Sequence, residues 1–218
     1  MTDLMDTTDV TPRRGFFARI AGAAALGLAG FASPPVRAQT AAGSNAPGWP
    51  GVLKGGQRQV VDAYEVNSGF PLAFVYTFLA PNDPADTTAV LVLRHGAFPI
   101  ALGDEMWKKY KIGEAFKIID PETKAAAVKN PFFRPKPGVL PIEDMAIDRL
   151  LAKGTVVGAC NVALSVQSRM LAGNAGVTAE EAAKEWTANV IAGISVIPSG
   201  TWGVNRAQEA GCTYCAGG

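Results

Sequence analysis

The sequence predicts an α/β protein in which helices cover both faces of a mostly parallel, five-stranded sheet, giving three layers. Two continuous apolar runs, AVLVLRHG (89–96) and TVVGAC (155–160), are typical of strands buried on both faces of a parallel sheet. Segments with helical periodicity and helix caps alternate with the strand-like segments, which is the pattern of an α/β sheet. The fold class follows from that alternation.

The first 38 residues have the features of a twin-arginine signal peptide. Arg13 and Arg14 precede Phe16 and Phe17, and a short Ala/Gly-rich run follows, ending in Val-Arg-Ala at residue 38. The apolar run is short for a membrane span, so we expect cleavage after Ala38 and export to the periplasm, with no membrane attachment afterwards. A retained N-terminal anchor is the alternative.

The composition of the remaining chain excludes some partners and bounds the domain. The signal holds four of the 20 Lys and Arg residues and three of the 19 Asp and Glu residues, which leaves 16 of each sign. A net charge of zero argues against nucleic acid or an anionic membrane as a partner. Residues 39–56 are small and polar with little to bury, which predicts a flexible leader before one domain at residues 57–218.

The first half of the domain is predicted to alternate strand and helix. β-Branched and aromatic residues in partial alternation favour a strand at residues 58–65. Residues 68–83 are compatible with a strand or a helix, and a cap at Ser68 with Pro71 in the first turn favours the helix. After the apolar strand described above, residues 99–113 show the spacing of an amphipathic helix.

A Pro-rich insertion at residues 120–141 separates the two halves of the domain. It has 22 residues with five prolines and the aromatic pair Phe132 and Phe133. Loops of this length are often functional covers, and they also occur as surface excursions with a few buried anchors. The sequence leaves both interpretations open.

The second half repeats the alternation with clearer helix boundaries. Gly154 is suited to end a helix that begins at residue 142, and Thr178 with Glu181 forms a capping box that begins another. The predicted elements are helices at 142–154, 161–173, 178–190 and 201–211, and strands at 155–160, 194–200 and 212–218. This gives five strands in all.

The candidate functional residues follow the predicted strands, because ligands bind at the carboxyl ends of strands in open parallel sheets. Cys160 ends a strand and begins a helix, where the helix dipole favours a nucleophilic thiolate, although a small buried hydrophobe is an equally good interpretation. His95 is the single histidine of the chain and is either a proton carrier or an ordinary turn residue. Ser199 and Gly200 can bind an anion or simply cap a helix, and Asn161 lies beside Cys160.

Two further cysteines lie at the end of the chain. If Cys212 and Cys215 belong to one strand they face opposite sides of the sheet, so they cannot form a disulfide with each other. We expect Cys215 to reach the same sheet edge as Cys160 and to serve as its resolving partner. A metal site formed by His95, Cys160 and Cys215 is a less favoured alternative, because no two of these ligands have a familiar zinc spacing. No cofactor motif is present, and we expect none.

Three segments resemble the DsrE/DsrF-like family of sulfur-handling proteins. They are AVLVLRHG, TVVGACNVAL and ISVIPSGTWGVNRAQEAGCTYC, and the resemblance covers residues 58–218. It implies a small α/β domain that assembles as a homo-oligomer and carries sulfur as a persulfide on Cys160. The sequence departs from the family in its export signal, its Pro-rich insertion, and the additional Cys212 and Cys215.

These observations lead to two functional hypotheses. The first is a periplasmic sulfur-binding or sulfur-carrier protein in which Cys160 exchanges sulfur with a donor or acceptor protein or with a small sulfur compound. In that hypothesis His95, Asn161 and the Ser199-Gly200 amides stabilise the anionic sulfur and Cys215 resolves it. The alternative is a non-catalytic binding or assembly module in which Cys160 is inert and the loop with Phe132 and Phe133 packs on a partner or a neighbouring subunit.

Overall fold

A single parallel sheet forms the centre of the domain. The computed structural model describes residues 48–51 and 53–218. The strands are β1 (Gln57–Ala63), β2 (Thr87–Leu93), β3 (Val156–Cys160), β4 (Ile194–Ile197) and β5 (Thr213–Ala216). They lie in the order β4-β3-β2-β1-β5, and every neighbouring pair is parallel. The predicted three-layer α/β fold with five strands is confirmed.

Helices connect the strands. The α-helices are α1 (Phe70–Leu79), α2 (Asp104–Lys109), α3 (Ile112–Ala115), α4 (Ile147–Ala152), α5 (Asn161–Leu171), α6 (Ala179–Ala188) and α7 (Gly200–Glu209). Short 3-10 helices occupy Asn67–Gly69, His95–Ala101, Glu143–Met145 and Ala172–Ala175. Among the described residues, every helix is too short or too polar to cross a lipid bilayer.

The order of the strands distributes the helices unequally over the two faces. From β1 to β4 the chain moves in one direction across the sheet, and it then returns past β1 to place β5 at the opposite edge. Because parallel crossovers are right-handed, a reversal of direction moves the connecting helix to the other face. The first six α-helices therefore share one face and its large core, whereas α7 packs on the other face.

The continuous apolar run of β2 follows from this arrangement. All seven residues of the strand are buried. Leu91 and Leu93 point into the large core, and Val90 and Val92 point into the smaller core beneath α7. Successive side chains of a strand face opposite sides, so a strand covered on both sides requires apolar residues throughout.

Part of the predicted leader belongs to the smaller core. Trp49 and Leu53 are buried there beside Ile197 and Ala207. The prediction of a segment with little to bury is therefore wrong at Trp49 and Leu53. The helix α7 is too narrow to cover this face of a five-stranded sheet by itself. Trp49 and Leu53 cover part of the remaining area. Residues 39–47 and the predicted signal peptide at 1–38 lie outside the described residues.

The predicted helix at residues 99–113 is divided into three pieces. The 3-10 helix His95–Ala101 ends before Gly103, whose extended backbone begins α2, and Lys111 with φ +52° separates α2 from α3. The prediction of one continuous helix is wrong, although Leu102, Met106 and Tyr110 are buried as their spacing predicted.

The helix boundaries agree with several of the predicted capping residues. Thr178 and Glu181 form a capping box at α6, and Gly154 and Gly211 follow α4 and α7 with positive φ. The predicted cap at Ser68 is wrong. Ser68 has φ +53° and makes no capping hydrogen bond, so α1 begins after Gly69.

The Pro-rich insertion is anchored to the body of the domain. Residues 120–141 contain no helix or strand. The buried Asn130 side chain donates hydrogen bonds to the carbonyl oxygens of Ile100 (2.9 Å) and Leu102 (2.8 Å). Phe132 is buried in the large core, and Phe133 packs partly against it. The two aromatic residues are therefore internal anchors.

Candidate functional site

The main candidate site is a cavity of about 620 Å³ at the carboxyl edge of the sheet. The chain leaves β3 toward the large core through α5, and it leaves the neighbouring β4 toward the opposite face through α7. Two adjacent strands whose connections diverge in this way form a topological switch point, where open α/β sheets bind ligands. Residues that follow β1, β2, β3 and β4 all line this cavity.

Cys160 lies at the switch point. It is the last residue of β3, pairs in register with Ile197 of β4, and is the N-cap of α5. Its Sγ accepts a hydrogen bond from the backbone N–H of Ala163 at 3.4 Å. The residue is 5% exposed and lines the cavity. The sulfur thus lies where the unpaired N–H groups of a helix start favour negative charge.

The start of α7 forms a second wall of the cavity. Ser199 is the N-cap, and its Oγ accepts a hydrogen bond from Trp202 N–H at 3.2 Å. A side chain at Gly200 would overlap the Arg94 side chain, so the close packing of Arg94 on this backbone requires glycine. Ser199 and Gly200, which we expect to bind an anion, both line the cavity, whereas Asn161, the third residue of that expectation, is half-buried and does not line it.

His95 enters the cavity from the end of β2 and is held on three sides. Its ring stacks on Tyr64 with centroids 4.3 Å apart, and its Nδ1 lies 2.8 Å from Glu65 Oε1. A carboxylate can only accept, so Nδ1 carries the proton and leaves Nε2 free in the neutral ring. Gln167 of α5 donates a hydrogen bond to the His95 carbonyl oxygen at 2.6 Å. The left-handed backbone of His95, with φ +44°, is fixed by these contacts.

Arg94 is positioned by a buried carboxylate. Asp62 of β1 binds the Arg94 guanidinium through both oxygens, at 2.6 and 2.9 Å, and also accepts a hydrogen bond from Tyr214 at 3.1 Å. The hydrogen bond to Asp62 raises the pKa of Arg94, and loss of solvation followed by the Asp62 charge raises the pKa of Tyr214. The guanidinium lies 4.7 Å from the centre of the Tyr64 ring. A fixed positive charge therefore borders the cavity.

Cys215 lies far from Cys160, contrary to the predicted resolving role. Two intervening strands, β1 and β2, separate β5 from β3, which corresponds to about 14 Å across the sheet. The register also places Cys215 level with Val157, three residues before Cys160. A disulfide requires Cα atoms within about 7 Å, so Cys215 cannot resolve Cys160 in the same chain.

The other terminal cysteine is part of the smaller core. Cys212 is buried beneath α7, and Cys215 packs against the large core on the opposite face. The prediction that these two residues face opposite sides is confirmed. Burial raises the pKa of the Cys212 thiol, which keeps it neutral near pH 7.

The metal site considered from sequence is not assembled. Cys215 is too distant to share a metal ion with His95 and Cys160, for the reason just given. Within residues 48–51 and 53–218, no group of three or more His, Cys, Asp or Glu side chains has an arrangement that could hold a metal ion.

The sequence prediction did not identify Tyr64, Glu65 and Gln167, which belong to the site. Tyr64 and Glu65 directly follow β1, which ends at Ala63. The sequence prediction extended this strand to residue 65, so it did not treat them as residues that follow a strand, as it did His95. Gln167 follows Cys160 by seven residues, the spacing of one helix face, but this spacing gives no sign of its hydrogen bond to the His95 carbonyl. The Pro-rich insertion does not line this cavity.

Comparisons of the chain with protein-family models, with curated proteins and with solved structures each found no match. The class of protein is defined by the fold and the site alone: it is an α/β domain with a cysteine at its switch point. The resemblance to the DsrE/DsrF-like family stays a prediction from the sequence.

Proposed function

We propose that the chain is a DsrE-like sulfur-binding or sulfur-carrier protein in which Cys160 holds sulfur as a persulfide. The observation that carries the proposal is the position of Cys160 at the N-terminus of α5, in a cavity shared with His95 and Ser199. A persulfide anion at this position would gain from the helix dipole and from the charge of Arg94. The predicted signal peptide adds periplasmic export to the proposal.

The chemistry is a sulfur exchange with no net oxidation. The Cys160 thiolate attacks the outer sulfur of a donor persulfide R–S–SH, a bond forms from Cys160 Sγ to that sulfur, and the S–S bond of the donor breaks. The donor leaves as the thiolate R–S⁻. The proton released when the Cys160 thiol ionises ends on this thiolate, and His95 is the group in the cavity suited to carry it, with Glu65 orienting its ring.

The test is the intact mass of protein purified from the periplasm after incubation with inorganic polysulfide. We expect a chain that begins at Gln39 and gains the mass of one sulfur atom, which dithiothreitol removes. Peptide mapping should place this sulfur on Cys160, and Cys160→Ser should lose it. Cys215→Ser is the matched control, because Cys215 lies outside the cavity, and it should load like the natural protein. Equal loading of Cys160→Ser would contradict the proposal.

A binding module with an inert cysteine is the second candidate. It is favoured by one observation, a thiol that is only 5% exposed beside exposed apolar side chains of α5. Phe132 is buried in its own chain, so the predicted packing of its loop on a partner or a neighbouring subunit would have to use other residues of the loop. An unmodified Cys160 after prolonged exposure of the folded protein to iodoacetamide would favour this candidate.

A further inference from the structure

One wall of the cavity is apolar and exposed to solvent. Val162, Val166 and Met170 follow one another at every fourth position of α5 and are 54%, 52% and 74% exposed. All three line the cavity, and Phe116 and Leu171 line it with them. Exposed apolar surface of this kind is unfavourable in water and marks a binding site when it is contiguous.

The apolar stripe formed by Val162, Val166 and Met170 begins beside the thiol and runs away from it. Val162 is two residues after Cys160, and Met170 lies eight residues further along, a rise of about 12 Å on a helix. The cavity volume of about 620 Å³ falls within the range of small-molecule sites and is far larger than one sulfur atom requires. The shape suits a linear molecule whose sulfur reaches Cys160.

Polar groups line the cavity where β2 and β4 end, beside the end of β3 at Cys160. Arg94, His95 and Ser199 line it together with Gln167. Gln167 is 8% exposed, and among the described residues its Oε1 has no hydrogen-bond partner while its Nε2 is occupied by the His95 carbonyl. A buried acceptor without a donor is unfavourable, which indicates that a polar group of a ligand binds beside Gln167.

We propose that the sulfur compound exchanged at Cys160 is a small organic thiol or persulfide with an apolar tail and a polar group near its sulfur. This inference rests on the proposed function and specifies its substrate class. In the exchange R–S–SH + Cys160–S⁻ → Cys160–S–SH + R–S⁻, the group R lies along the apolar stripe. The polar group lies beside Gln167 and Arg94.

The test compares two reagents that differ only in tail length, methyl and octyl methanethiosulfonate. In each reaction Cys160 Sγ attacks the sulfenyl sulfur, a mixed disulfide forms, and methanesulfinate leaves. Rates are followed by mass spectrometry with peptide mapping to Cys160, below the concentration at which the octyl reagent aggregates. Glutathione gives the octyl-to-methyl rate ratio of a free thiol. We expect the ratio at Cys160 to be about tenfold or more higher, because the added methylenes bind the stripe.

A charge on the stripe should remove the preference. Met170→Glu is expected to lower the octyl-to-methyl ratio to that of glutathione. Val128→Glu is the matched control, since Val128 is 60% exposed and lies outside the cavity, and it should keep the ratio. Both side chains are exposed, so both variants should fold, which thermal unfolding verifies.

The outcomes separate this inference from the proposed function. If Cys160 reacts with both reagents at the ratio of glutathione, the substrate class is wrong and sulfur exchange at Cys160 stands. If Cys160 reacts with neither, both proposals fail. If native mass spectrometry shows an oligomer that Met170→Glu dissociates, and the natural protein has the ratio of glutathione, the stripe is a contact between copies and the inference is overturned.

Discussion

At the scale of single residues, Asp62 connects the sheet to the site. Its carboxylate is buried on β1 and receives Arg94 from the end of β2 and Tyr214 from β5. The paired oxygens hold the guanidinium over Tyr64, and Tyr64 in turn stacks on His95. The orientation of His95 in the cavity therefore depends on a charge that lies outside it.

Asp62→Asn should destabilise the protein by about 3 kcal/mol, because it keeps the size of the side chain but leaves Arg94 without its carboxylate. Urea unfolding followed by circular dichroism measures this loss. Glu180→Gln is the control, since the Glu180–Lys184 pair is largely exposed and its removal should change stability by at most about 0.5 kcal/mol. Equal effects of the two substitutions would show that Asp62 has no special structural role.

The sequence identified some residues of the site because their positions follow a local rule. Cys160, His95, Ser199 and Gly200 each follow an apolar run, and parallel strands bring such residues to one edge. Gln167 was not identified, because its role depends on a carbonyl group 72 residues earlier in the chain. Contacts of that kind are created by packing and have no local sequence signal.

At the scale of elements, the smaller core is covered by fewer elements than the large core. Among the described residues α7 is the single α-helix on this face, and Trp49 fills the space beside Gly158 and Gly203. A side chain at either glycine would contact the Trp49 ring, so the close approach depends on both glycines. Composition alone could not assign Trp49 to the core, because the surrounding residues are typical of a disordered leader.

Trp49→Ala is expected to destabilise the protein by about 3 kcal/mol, since it leaves a cavity against the sheet. Thermal and urea unfolding measure the change. Lys54→Ala, at an exposed position of the same segment, should have little effect. A neutral Trp49→Ala would mean that α7 covers this face without help from the leader.

The segment around α2 shows that periodicity predicts burial better than it predicts helix boundaries. The spacing of Leu102, Met106 and Tyr110 predicted their burial correctly and their common helix wrongly. Periodicity reports which residues face the core, and three short helical pieces can present the same residues as one long helix. The breaks at Gly103 and Lys111 depend on backbone angles that tertiary contacts select.

At the scale of the whole molecule, the order of the strands determines what the cysteines can do. Alternation along the chain predicted five mostly parallel strands but not their order, because each crossover can place the next strand on either side. With β5 beside β1, Cys215 lies at the edge of the sheet opposite to β4, and Cys160 lies at the switch point between β3 and β4. Cys212 is enclosed beneath α7.

This arrangement predicts that mild oxidation with diamide forms no disulfide within one chain. Cys215 is the least buried of the three cysteines and lies on an edge strand, where a second copy can approach, so any disulfide should join two chains through it. Non-reducing electrophoresis should show a covalent dimer that Cys215→Ser abolishes and Cys160→Ser retains. Alkylation of the unfolded monomer fraction should count three thiols. A Cys160–Cys215 link within a monomer would contradict the strand order itself, because no parallel sheet of this order brings the two sulfur atoms into bonding distance.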